Sequence, residues 1–273
     1  MADMGEPTGR LTFVGLGLHD DKGMTLRALD EVIDADVIFA EEYTSALAKG
    51  SIENITEKTG KMIRRLTRSE VEDGAAILDS CMSRRVALLV AGDPMTATTH
   101  IDLRLRAIKK GVRTQVIHGC SALVAAPGLL GLQHYKFGRT TTLPFPEEGY
   151  SPTSPYEVIE ENLSRGLHSL VLLDIDAENE RYMTANEGMH LLRDMERRVG
   201  RKVVKDDLLL GVVARAGAPD CVVRAGRIVE LEKLSFGPPL HSIIVPGKLH
   251  FMEAEALELL ARAPRDLVAE GRR

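Results

Sequence analysis

Three short turns, each closing an apolar run, hold the residues of this chain best placed to do chemistry. The first is Gly15-Leu16-Gly17-Leu18. Glycines let the backbone approach a ligand closely or take positive φ. A dinucleotide turn needs a third glycine in G-x-G-x-x-G, and Asp20 stands at that place, so pyrophosphate cradling is not supported. The turn reads equally as the plain end of a strand. The second turn runs from Gly92 through Asp93, Pro94, Met95 and Thr96 to His100. Asp93 can accept hydrogen bonds from a ligand hydroxyl or amine, or it can cap the helix that follows. Thr98 and Thr99 are rival caps, which would leave Asp93 for a ligand. The third turn is His118-Gly119-Cys120-Ser121-Ala122, where Ser121 suits a cap and a ligand contact equally well.

Further turns follow later in the chain: Leu172-Leu173-Asp174, Ala214-Arg215-Ala216-Gly217 and Pro239-Leu240-His241-Ser242. Asp174 and Arg215 suit an ion pair with each other. His241 has neither a triad nor a metal ligand set at a usual spacing, and no nucleophile elbow is present. Neither a hydrolase nor a dehydrogenase is indicated.

Alternating elements must position these turns. LTFVGLGL (11–18), VIFAE (37–41) and VALLVAGD (86–93) read as buried strands. Between them stand a helix behind a Thr25 cap and a helical stretch over 69–80. IDLRLRAIKKG and TQVIHG repeat helix then strand. Such alternation implies parallel pairing with right-handed crossovers in a sheet covered on both faces. Thr140 to Leu143 suits a strand, and the Pro-rich residues 144–155 suit an exposed substrate loop. A second set follows: strands at 168–175, 208–217 and 241–247, helices at 187–199 and 251–262, and a hairpin about Ala225-Gly226. The expected fold class is α/β, with two tandem α/β domains: a flexible leader over 1–10, an N-terminal domain over 11–127, and a C-terminal domain with a mixed sheet over 128–273.

A net charge of −5 argues against a general nucleic-acid binder and favours a protein or small-molecule partner. Cys81, Cys120 and Cys221 form no CxxC pair, so neither zinc nor a disulfide framework is suggested. No apolar run reaches the roughly 20 residues of a membrane helix, and the N-terminus lacks a secretory apolar core. The expectation is a cytoplasmic protein without metal or membrane association.

Several segments together resemble the diphthine synthase family: LTF with GLGL, ADVIFAEEYTS, AGDPMTATTH, HGCSALVAAPGLLGLQHYKFGRTTTLPF and HSIIVPGKLHFMEAEAL. They run in order from about residue 11 to 257. EEYTS and GLQHYKFG carry most of the specificity. The related tetrapyrrole and corrin methylases share the first GxG and the Gly-Asp-Pro turn, but usually have a further glycine where this chain has His19.

The resemblance implies S-adenosylmethionine as methyl donor, bound in the cleft between the two domains, and a homodimer. It implies N-methylation, threefold in archaeal members, of the amino group of an aminocarboxypropyl-histidine on translation elongation factor 2. Carried over residue by residue, donor contacts fall at Leu18, Asp93, Thr96, Ser121, Ala122 and Leu172. Others fall at Ala214 or Arg215 and at Leu240 or His241. No catalytic residue is assigned. The acceptor amine lies beside a carboxylate, its pKa is nearer about 8 than a lysine's 10.4, and water can take its proton. Tyr43, Tyr135, Phe137 and Phe145 are candidates to face a trimethylammonium, with a core role as the plainer reading. Glu41 and Glu42 suit attraction of a cation or a solvated helix entry. The alternatives are a tetrapyrrole or corrin methyltransferase, and a non-catalytic donor-binding module.

Overall fold

The computed structural model describes residues 8–41, 43, 45–147, 149, 151–177 and 179–269. The chain divides into two units, Met1–Ser121 with Ala177–Asn179, and Ala122–Asp176 with Glu180–Arg273. No helix among the described residues is long and apolar enough to cross a membrane.

The first unit contains β1 (Arg10–Gly15), α1 (Leu26–Asp34), β2 (Val37–Glu41), α2 (Ser51–Thr59) and β3 (Ile63–Leu66). After these come α3 (Arg68–Asp73), α4 (Ala75–Cys81), β4 (Arg85–Val90), α5 (His100–Lys109) and β5 (Arg113–Ile117). Its sheet is wholly parallel, in the order β3-β2-β4-β1-β5. The apolar runs are continuous because both faces are covered. Val86, Leu88 and Val90 join one buried cluster with Leu78 and Leu103, while Ala87 and Leu89 join the other with Val32 and Ile55. Thr25 caps α1 by accepting from the Ala28 amide at 3.1 Å. The helix expected over 69–80 is two helices, because Gly74 at φ +70° ends one and begins the next. Gly9 and Arg10 are already tied in, their amides donating to the Met82 and Arg84 carbonyls. Residues 1–7 lie outside the described residues.

The second unit opens with α6 (Ala122–Leu130), β6 (Thr141–Leu143), α7 (Ser154–Ser164), β7 (Ser169–Leu173), β8 (Ile175–Asp176) and β9 (Arg181–Tyr182). It continues with α8 (Ala185–Val199), β10 (Leu209–Ala214), β11 (Val222–Arg227), α9 (Ile228–Leu231), β12 (His241–Val245), α10 (Phe251–Ala261) and α11 (Arg265–Val268). Its main sheet runs β11-β10-β12-β7-β6, with β6 and β7 parallel and the other pairs antiparallel. The unit starts at Ala122 because Ala126 and Leu130 of α6 pack with Leu170, Val213 and Ile244 of this sheet.

The hairpin expected at Ala225-Gly226 lies elsewhere. Those residues sit inside β11, opposite Gly211 and Leu210. The turn is at 215–221, where the Ala218 amide donates to the Arg215 carbonyl and Gly217 takes φ +86°. Within 144–155, α7 begins at Ser154, with Pro155 in the first turn, where a missing N–H costs nothing.

A buried carboxylate ties distant parts of this unit together. Glu253 accepts from the amides of Gln133 (2.9 Å) and His250 (2.8 Å), from His168 Nε2 (3.0 Å) and from the Lys136 ammonium. Burial pushes its carboxyl up, but the His250 amide, Lys136 and the other donors outweigh that and hold it at about 2. The distinctive GLQHYKFG and GKLHFMEAE segments therefore hold each other.

Candidate functional site

The three glycine turns of the first unit meet at the carboxyl ends of β1, β4 and β5. Gly17 and Gly92 exchange backbone hydrogen bonds of 3.1 and 2.8 Å. A Cβ on Gly15 would lie 2.4 Å from the Gly119 nitrogen, and one on Gly119 would lie 2.2 Å from the Gly92 carbonyl. Only glycine lets three backbones come this close. Gly92, at φ +74°, differs: a Cβ there would meet nothing nearer than the Cys120 carbonyl at 4.0 Å. Room for a methyl group is therefore open beside the Asp93 loop. His19, just beyond, is also in the left-handed region, at φ +65°. That conformation favours glycine over any residue with a Cβ.

Asp93 caps no helix. Its Oδ1 accepts from the Met95 amide (2.9 Å) and the Thr96 hydroxyl (3.0 Å), closing the loop on itself, and its Oδ2 lies 2.7 Å from His118 Nδ1. Burial raises its carboxyl, yet the Met95 amide, His118 and Thr96 outweigh this and keep it below the usual carboxylate value. A carboxylate has about four acceptor positions, so one remains for a ligand. Thr99 occupies the cap position of α5 without a side-chain bond, and Thr98 donates to the Pro94 carbonyl at 2.7 Å. Ser121 is buried beside these loops, and Leu18 is half-buried.

Glu41 is buried, so it is not a solvated helix entry. Its Oε2 accepts from the Tyr43 amide at 3.1 Å, and its Oε1 lies 3.8 Å from Nε2 of buried His100. Burial and then the Glu41 charge push the Tyr43 phenol up to about 12. Glu42 lies outside the described residues.

Register gathers the later candidates at one end of the second sheet. His241 stands opposite Ala214, and Ser242 opposite Leu172. Leu240 accepts the Arg215 amide at 2.7 Å. Arg215, at φ +53°, spends its guanidinium on Asp220 Oδ2 (2.7 Å) and on the Phe236 and Pro238 carbonyls. Asp174 instead accepts the Phe145 and Ile175 amides at 2.8 and 3.0 Å. The expected Asp174–Arg215 pair does not form, because each already has local partners. His241 is buried; burial lowers its pKa, and both ring nitrogens are bonded. Ala122 begins α6.

The aromatic candidates are mostly engaged. Phe137 meets His168 edge-on at 5.1 Å, Tyr43 packs against a core cluster, and the Arg181 guanidinium covers the Phe145 ring at 3.7 Å. Tyr135 is 81% exposed. Sequence reasoning passed over Arg181, since an isolated arginine in a polar stretch carries no periodic signal. Among the described residues no group of three or more His, Cys, Asp or Glu could hold a metal ion.

Comparison with known proteins gives a consistent answer. The tetrapyrrole (corrin/porphyrin) methylase family matches residues 10–232. The diphthine synthase of Methanosphaera stadtmanae is 44% identical over 260 residues, covering 95% of this chain and 99% of its own. That of Methanocaldococcus jannaschii is 47% identical over 253 residues, covering 92% and 98%. A crystal structure of diphthine synthase superposes with a TM-score of 0.87 at 38% identity, covering 95% of this chain and 99% of that one.

Proposed function

We propose, for a chain that belongs to the tetrapyrrole methylase family and within it to the diphthine synthases, that it trimethylates the amino group of an aminocarboxypropyl-histidine on translation elongation factor 2. S-adenosylmethionine-dependent methyl transfer in diphthamide biosynthesis follows from membership. The acceptor protein, the threefold extent, a homodimeric assembly and a cytoplasmic location are our further reading. The observation that carries it is identity of 44–47% over nearly whole chains to named diphthine synthases.

S-adenosylmethionine supplies a methyl group on a sulfonium leaving group. The loops of the first unit fit such a donor: the glycine junction leaves room beside Gly92, and Asp93 retains an acceptor position. Leu18, Asp93, Thr96 and Ser121 are the proposed donor contacts of that unit. In the second unit they are Ala122, Leu172, Ala214, Arg215, Leu240 and His241. The Arg215 side chain already has partners of its own, so its contribution is through the backbone. Positioning supplies most of the rate. We assign no general base, since an amine with a pKa near 8 has a ready neutral form at about pH 7.

Incubation with S-adenosylmethionine and elongation factor 2 bearing the aminocarboxypropyl-histidine, followed by mass spectrometry, tests this reading. A ladder of additions ending at three supports it. No mass shift, with donor binding confirmed, would overturn it.

A further inference from the structure

We propose that Arg181, braced on Phe145, grips the carboxylate beside the acceptor nitrogen. The inference rests on the acceptor being an aminocarboxypropyl group, and it names the residue that recognises that group.

Position is the first argument. Leu143 of β6 stands opposite Leu173 of β7, Leu172 opposite Ser242 of β12, and His241 opposite Ala214 of β10. Phe145, two residues past β6, is therefore at the sheet end where Leu172, Ala214 and His241 gather. Its amide is fixed on Asp174 Oδ2 at 2.8 Å.

Arg181 is held ready at that end. It lies in β9, paired with β8. Just beyond it, the Met183 amide donates to the Asp174 carbonyl at 3.0 Å, and the Ala185 amide donates to His241. The guanidinium carbon lies over the Phe145 ring, 3.7 Å from its centre, a contact that braces the side chain and uses none of its N–H donors in a conventional hydrogen bond.

The third argument is electrostatic. Acidic residues outnumber basic ones in this chain, 40 to 35. Yet the Arg181 guanidinium forms no ion pair or hydrogen bond among the described residues, although Asp176 stands opposite it across the hairpin. An exposed guanidinium braced in this way matches a carboxylate through two parallel N–H donors. The acceptor offers one, on the carbon that bears the reacting nitrogen. Gripping it fixes the nitrogen's direction. It also places a positive charge nearby, which favours the neutral amine. Methylation leaves the carboxylate untouched, so one grip serves every transfer.

The test uses Arg181→Gln and Arg181→Lys in the full chain, with folding checked by circular dichroism. Acceptors are elongation factor 2 carrying the aminocarboxypropyl-histidine and the same protein with its side-chain carboxylate converted to carboxamide. Wild type should prefer the carboxylate by about 10-fold or more in kcat/KM, the worth of a hydrogen bond to a charged group. Arg181→Gln should raise the acceptor KM by about 10-fold or more and erase the preference, with Arg181→Lys between the two. Donor affinity by calorimetry should not change. An Arg181→Gln enzyme that keeps both its KM and its preference overturns the inference while leaving the function intact. Donor-bound wild type that methylates neither acceptor sinks the function, and this inference with it.

Discussion

His241 accepts a hydrogen bond from the backbone amide of Ala185, 3.0 Å from its Nδ1, at the first residue of α8. A backbone amide only donates, so Nδ1 carries the lone pair and the proton sits on Nε2, donating to the Pro238 carbonyl at 2.9 Å. His168 repeats the pattern: Nδ1 accepts from the Gly247 amide at 2.9 Å, and Nε2 donates to Glu253. Both rings are held neutral.

Acid should therefore loosen the fold before any carboxylate protonates. Burial lowers both histidine pKa values, the Glu253 contacts of His168 only partly opposing it. The unfolded chain then binds more protons below about 6.5, and stability falls as pH drops through that value. Each histidine adds up to about 1.4 kcal/mol per pH unit. Urea midpoints between about pH 8 and pH 5 should decline, and His241→Asn should flatten the slope. A flat profile in wild type would refute this.

Glu253→Gln should destabilise the fold by about 3 kcal/mol, since it strips the half-buried Lys136 of its anion and removes a fully buried charge from the donors gathered around it. Adding Lys136→Met should recover part of the loss. The depressed Glu253 carboxyl contributes stability above about 4.5 that is lost as pH falls toward about 2, so the variant's deficit should shrink in that range. Denaturant titrations of the single and double variants measure both effects.

Gly119→Ala should cost about 1–3 kcal/mol and abolish donor binding, because the new methyl would sit 2.2 Å from the Gly92 carbonyl. Thermal melts and calorimetry with S-adenosylmethionine check the pair of effects. Full donor affinity in a folded variant would count against this site.

Asp93→Ala should weaken donor binding by about 10-fold, the loss of one hydrogen bond to a charged group. Asp93→Asn should be milder, since an amide oxygen can still accept from Met95 and Thr96. Unchanged affinity in the alanine variant would displace the proposed donor contacts.

His19→Gly should raise stability by about 0.5–1 kcal/mol, because φ +65° strains any residue with a Cβ. A lower melting temperature would show that the imidazole makes a compensating contact.

Elements with local signals could be read from the chain alone. The Thr25 cap and the run from Val37 to Glu41 appear where their residues place them. Ala225-Gly226 misleads because it looks like a turn, while pairing with Leu210 and Gly211 decides its place. α2 and β3 carry too few buried apolar positions to stand out: Ile52 and Ile55 in one, Leu66 in the other. At the site, the glycines are visible, but the reason for Gly15 and Gly119 is backbone from other strands, which no local window contains. The same holds for His100 facing Glu41, 59 positions apart in the chain.

Glu253 is also the last of its group to be synthesised. It follows Lys136 by 117 residues and His168 by 85. At about 5–20 residues per second, a growing chain carries both for on the order of ten seconds before their anion emerges. Every strand of the parallel sheet has been made before Ala122. On the ribosome, then, the first sheet can close while the second is still being made, and Lys136 and His168 meet their anion only after the last strand, β12, is already out.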